Sequence, residues 1–190
     1  FWQANYNQLV NLFPEFKDVS VDELVSMINK TECALIRTEA DELTYPLHIM
    51  VRYEIEKEIA KGNVDYDKLP ELWADKYEEY LGVRPTNYKE GVLQDMHWST
   101  GYLGYFPTYA LGSAYAAQLY ATMEKQFDVK EALLTNHFEK ITNWLKENVH
   151  HYAASKSMAE IVEEVSGEPF NPDYYTDYLI KKYKKLYNLD

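Results

Sequence analysis

A single cysteine, Cys33, stands among 190 residues, which excludes an internal disulfide and a cysteine-based metal cluster. A reducing cytoplasm suits such a chain. No stretch approaches the roughly 18 to 20 apolar residues needed to cross a bilayer, and no basic-then-apolar leader opens the chain. Basic residues are in deficit as well: 19 Lys and Arg face 31 Asp and Glu, for a formal charge of −12. That surplus repels polyanions, and Tyr183 interrupts the one dense basic run, residues 181–185. The expectation is a cytoplasmic chain without nucleic-acid or membrane partners.

Several catalytic arrangements are also missing. No serine sits in a nucleophile elbow, Cys33 has no local activator, and no glycine loop is shaped for phosphate. The histidines His48, His97, His137, His150 and His151 form neither a His-Glu-x-x-His helix nor another spacing that gathers two ligands and a third carboxylate. His150 and His151 are neighbours, so on a helix they point about 100° apart. They read as the cationic end of a helix.

Apolar and aromatic residues are plentiful, at 46% of the chain, enough for a domain with a core of its own. With no repeat, low-complexity tract or long linker, residues 1–190 read as a single helical unit of seven or eight helices. The fold class is all-α, with one short strand segment at Cys33-Ala34-Leu35-Ile36-Arg37 as the only candidate exception. There is no initiator methionine, and Phe1, Trp2, Tyr6, Leu9, Val10 and Phe13 already repeat at helical spacing. The chain is therefore expected to begin inside an element.

Helix signals follow in order. Ser20 and Glu23 fit a capping box ahead of a helix running to about Asn29. Leu43, Leu47, Val51, Ile55 and Ile59 recur every fourth residue, with Gly62 as a stop. Pro46 allows two starts: Thr44 as cap with Pro46 in the first turn, or a start near Asp41 with a kink. Leu69, Trp73, Tyr77 and Leu81 mark a helix ending at Gly82, followed by loop to Glu90. Ser113 to Ala117 opens a buried helix towards Phe127. Leu134, Phe138, Ile141, Leu145, Val149 and Tyr152 form one further stripe. Ser157 and Glu160 make a second capping box, and Asn171-Pro172 an N-cap with N1 proline before a last helix bearing Tyr175, Leu179, Tyr183 and Leu186.

Two places gather polar chemistry. If the helix begins near Asp41, then Asp41, Tyr45, His48 and Arg52 line one polar stripe. A solvated outer face is the default for such a stripe, and Tyr and His keep a functional site open as the alternative. Just upstream, Arg37 is placed either to pair with a carboxylate of the fold or to grip one on a substrate. The second place is Gly91-Val92-Leu93-Gln94-Asp95-Met96-His97-Trp98. There His97, oriented by Asp95 and assisted by hydroxyls of Tyr102, Tyr105 or Tyr109, could stabilise an oxyanion. A histidine satisfied within an aromatic core is the competing reading.

These strings carry a resemblance. Ile36-Arg37-Thr38-Glu39-Ala40-Asp41 and Gly91 to Trp98 are similar to the I-R-x-x-A-D and G-x-x-Q-D-x-H-W motifs of the carboxypeptidase Taq family. Tyr45-Pro46-Leu47-His48, Arg52-Tyr53-Glu54 and Gly104 to Gly112 extend it, so it covers essentially the whole chain. The resemblance implies the C-terminal part of a zinc metallocarboxypeptidase with a neurolysin- and angiotensin-converting-enzyme-like helical fold. It implies a homodimer acting on peptides with a free C-terminus.

The family's zinc motifs, His-Glu-x-x-His and His-Glu-Ser, do not occur in this chain, so no metal ligand and no activity are expected from it alone. By the same resemblance Arg37 grips the substrate carboxylate, with Gln94 and Asp95 shaping that site. His97 with Tyr105 or Tyr109 stabilises the oxyanion. A non-catalytic helical module for peptide binding or oligomerisation is the alternative, with the aromatic loop serving as core.

Overall fold

The computed structural model describes all residues, Phe1–Asp190, as α-helices, short 3₁₀ turns and loops, with no strand. Nine α-helices are present: α1 (Trp2–Leu12), α2 (Val21–Ile28), α3 (Tyr45–Ala60), α4 (Leu69–Leu81), α5 (Pro107–Glu124), α6 (Val129–Leu134), α7 (Phe138–Asn148), α8 (Met158–Ser166) and α9 (Asp173–Tyr187). The all-α class expected from the sequence holds. Contacts gather into two compact units, residues 29–112, and residues 1–28 with 113–190.

Residues 29–112 are built on α3 and α4. Val51, Ile55, Trp73, Tyr77 and Leu81 form their shared core, with Leu47, Ile59, Val92 and Trp98 packed around it. Of the two starts open for α3, the structure takes the one with Thr44 at the cap and Pro46 in the first turn. Pro46 lacks an N–H that would be orphaned there anyway, so no kink results. The cap is supplied from further back. The Asp41 carboxylate accepts from Leu43 N at 2.9 Å, Thr44 N at 3.0 Å and Thr44 Oγ1 at 2.9 Å. It also takes Thr31 Oγ1 at 2.7 Å and Glu32 N at 3.0 Å. Asp41 thus lies before the helix and is not part of the stripe of Tyr45, His48 and Arg52. α4 ends as its sequence indicates, with Gly82 left-handed at φ 66°.

The expected short strand at Cys33–Arg37 is not formed: residues 33–36 are irregular and Arg37–Glu39 is a 3₁₀ turn. Gln94 explains how an extended backbone survives without a partner strand. Its Nε2 donates to Leu35 O at 2.6 Å and its Oε1 accepts from Arg37 N at 3.2 Å. One side-chain amide thus satisfies the two backbone groups that a ladder would otherwise pair.

The second unit has its core at Leu119, Met123, Val129, Trp144 and Val162. Both capping boxes are present, at Ser20–Glu23 and Ser157–Glu160. The stripe from Leu134 to Tyr152 is not one helix. Asp128 caps a separate α6 by accepting from Glu131 N at 2.8 Å, and Asn136, left-handed at φ 58°, turns the chain before α7. His150–Tyr152 is a 3₁₀ turn beyond α7. α9 starts one place later than its Asn-Pro signal indicates: Pro172 is the N-cap, and Asn171, just ahead of it, accepts from Asp173 N at 2.9 Å through its side-chain oxygen. No helix is long and apolar enough to cross a membrane.

Candidate functional site

Within residues 29–112, α3 turns its polar stripe inward. His48 and Arg52 have no solvent exposure, which rules out the solvated face that is the default for such a stripe. Burying a guanidinium is costly unless it is paired, and Asp95 provides the pairing. Arg52 Nε donates to Asp95 Oδ2 at 2.7 Å, and its Nη2 lies 2.6 Å from the same oxygen. Arg52 Nη1 donates to His48 O at 2.8 Å and to Tyr77 Oη at 3.0 Å, and its guanidinium lies 4.6 Å from the Trp73 ring centroid.

Arg37 takes the other oxygen. Its Nη2 donates to Asp95 Oδ1 at 2.6 Å, its Nε at 3.2 Å, and its Nη1 donates to Tyr45 Oη at 2.9 Å. Each terminal nitrogen keeps a further N–H beyond these bonds. The guanidinium lies 5.1 Å from the Tyr109 ring centroid and 5.7 Å from that of Phe106. Two buried cations therefore share one carboxylate, and the group carries a surplus positive charge.

The electrostatics follow from that balance. Burial pushes the Asp95 carboxyl up, but hydrogen bonds and charge from Arg37 and Arg52 outweigh it and hold the group below the usual carboxylate range. Burial also works against the charged form of Arg37, and Asp95 and Tyr45 more than compensate, raising its pKa. His48 is driven down from 6.5 to about 4, first by burial and then by the charges of Arg52 and Arg37. It is neutral at physiological pH. Its Nδ1 lies 3.0 Å from Tyr77 Oη, and its Nε2 is buried with no partner.

His97 stands on the exposed side of this cluster. Its ring rests on Phe106, centroids 4.3 Å apart, and Nε2 lies 3.1 Å from Tyr109 Oη. Nδ1 has no hydrogen-bond partner and lies 3.9 Å from Asp95 Oδ1, beyond hydrogen-bonding distance. Tyr105 stacks at 5.9 Å from the His97 ring and is exposed, while Tyr102 packs on Tyr105 further out.

The structure thus brings Arg37, Asp95, His97 and Tyr109 together, places Tyr105 alongside, and sets Gln94 behind Arg37 as a backbone clamp. Sequence reasoning missed Tyr77 and Glu56. Glu56 continues the stripe of His48 and Arg52 at the same spacing of four, but Glu54, Lys57 and Glu58 around it make it look like solvated charge.

No three His, Cys, Asp or Glu side chains come together as a metal site. Asp95, the one carboxylate beside a histidine here, has both oxygens occupied by guanidinium groups. The residues of this chain do not fit a metal ion.

Comparison with known proteins bears on this geometry. Residues 1–183 match the family model described as Carboxypeptidase Taq (M32) metallopeptidase. Carboxypeptidase 1 of Bacillus subtilis is 47% identical over 191 residues, covering 100% of this chain and 38% of that protein. Thermostable carboxypeptidase 1 of Thermus thermophilus is 39% identical, covering 98% of this chain and 37% of its own length. The crystal structure of an M32 carboxypeptidase from Deinococcus radiodurans superposes with a TM-score of 0.95 at 34% identity, covering 98% of this chain and 38% of that one. The chain thus spans well under half the length of the relatives it matches.

Proposed function

Because this chain belongs to the carboxypeptidase Taq family of metallopeptidases, we propose that it forms the substrate-recognition and oxyanion-stabilising wall of a larger carboxypeptidase, one that removes C-terminal residues from peptides. The observation that carries this reading is the charge balance at Asp95. Two buried guanidiniums on one carboxylate leave a positive surplus, and Arg37, 7% exposed against 0% for Arg52, keeps N–H groups beyond these bonds for an anion. A peptide's terminal carboxylate supplies that anion.

His97 and Tyr109 take the second role. Their hydrogen bond holds the ring against Phe106, so an N–H or O–H donor is already oriented when negative charge develops on a substrate carbonyl. Tyr105, exposed and stacked rather than hydrogen-bonded to His97, lines the approach. The zinc or other divalent ion of a metallopeptidase is assigned to residues beyond these 190, and the chain alone is expected to be inactive. Homodimerisation of the whole protein is part of the same proposal.

The test is an assay of the whole protein on unblocked peptides, before and after chelation. Stepwise release of terminal residues that chelation abolishes supports the reading; release of internal fragments contradicts it. The 190-residue chain supplied with zinc should release nothing.

A further inference from the structure

Glu56 is a buried carboxylate whose two hydrogen-bond donors are both neutral. Its Oε1 accepts from Trp98 Nε1 and from Gly104 N, each at 2.9 Å, while Oε2 is buried without a partner. A buried carboxylate needs donors in place of water, and here both come from one short segment, residues 98–104. These two donors flank a turn. Trp98–Thr100 is a 3₁₀ turn, Gly101 and Gly104 are left-handed at φ 85° and 81°, and Tyr102 N closes the loop on His97 O at 2.8 Å. His97 directly precedes the turn and Tyr105 directly follows it.

We infer that Glu56 is a positioning residue for the oxyanion-stabilising His97: a single carboxylate oxygen on α3 pins both ends of the turn that directly follows it. Trp98, fixed by this bond, packs edge-on against Phe106 at 6.1 Å, and Phe106 is the ring on which His97 rests. The rigid helix thereby sets the place of His97 through two routes, one along the backbone and one through the Trp98–Phe106 stack. Since only the partnered oxygen makes these bonds, the inference assigns the role to an acceptor at Oε1 and none to the negative charge. A glutamine puts its carbonyl there and its amide where Oε2 has no partner.

The inference rests on the proposed carboxypeptidase reading, and the test separates the two. In the whole protein, Glu56→Ala should lower kcat on a free-C-terminus peptide by about 30- to 100-fold with KM changed less than about threefold, as misplacement of a catalytic group does. Glu56→Gln should restore kcat to within about threefold of the parent. The His97 ring resonances should move in the Ala variant and return in the Gln variant. Should Glu56→Ala not fold, Trp98→Phe, which removes the indole donor and keeps a ring, should lower kcat about tenfold while Glu56→Gln does not. Parent-like kcat and His97 resonances in the Ala variant, or in Trp98→Phe where that variant replaces it, overturn the inference. So does a Glu56→Gln variant as impaired as Ala. A parent protein inactive on every peptide would overturn the carboxypeptidase reading instead, and the His97 resonances would still decide the positioning role.

Discussion

Asp95 Oδ2 lies 2.6 Å from Nη2 of Arg52, a side chain with no solvent exposure, while its other oxygen is held by Arg37. Asp95 is thus the one carboxylate bonded to the two buried guanidiniums. Asp95→Asn leaves both arginines without a carboxylate, and the expected cost is about 3 to 5 kcal/mol of unfolding free energy. Arg37→Ala leaves Asp95 still paired with Arg52 and should cost less, about 1 to 2 kcal/mol. Denaturant titration of both variants measures the difference, and equal costs would contradict the asymmetry.

His48 makes stability depend on pH. Its folded-state pKa, about 4, lies below its unfolded value of 6.5, so between these values the unfolded chain binds more protons. Stability from this group is full above pH 6.5, falls as the pH drops towards 4, and changes no further below that. The total is on the order of 3 kcal/mol. His48→Gln keeps an acceptor for Tyr77 and should flatten this part of the profile, measured as unfolding free energy at pH 7 and pH 4.5. An unchanged slope would mean that His48 is not the group responsible.

Tyr109 and Tyr105 are separable. Only Tyr109 shares a hydrogen bond with His97, so in the whole protein Tyr109→Phe should lower kcat by about 10- to 100-fold, and Tyr105→Phe by less than about threefold. Steady-state kinetics on one peptide decides the assignment, and the reverse order would move the role to Tyr105.

Ala153 sits at φ 47° and ψ −121°, in the left-handed half of the map that a side chain disfavours. Ala153→Gly should raise unfolding free energy by about 1 kcal/mol, the relieved strain exceeding the entropy glycine loses on folding. Thermal or denaturant unfolding reads this directly.

What could be read from the sequence divides along physical lines. The capping boxes at Ser20 and Ser157 and the glycine stop at Gly82 depend on residues three or four apart, and each stands where its local pattern places it. Polarity misleads on α3. His48 and Arg52 look like an outer face because the carboxylate that lets them be buried, Asp95, comes from a loop more than forty positions away. Gln94 is a similar case, since its amide stands in for a strand partner that no local signal announces. The motifs brought Arg37, Asp95 and His97 to attention, but not that Asp95 binds the first and only approaches the last. Glu56 stayed hidden among neighbouring charges because its burial is decided by Trp98 and Gly104.

The most direct test of the account compares Arg37→Ala with the parent in the whole protein, on one peptide with a free C-terminus and on its C-terminally amidated counterpart. Only the free peptide offers a carboxylate to the guanidinium. The expected result is a loss in kcat/KM of about 100-fold on the free peptide and of less than about threefold on the amide. Equal losses on both would contradict the account, leaving Arg37 as a partner of Asp95 and nothing more.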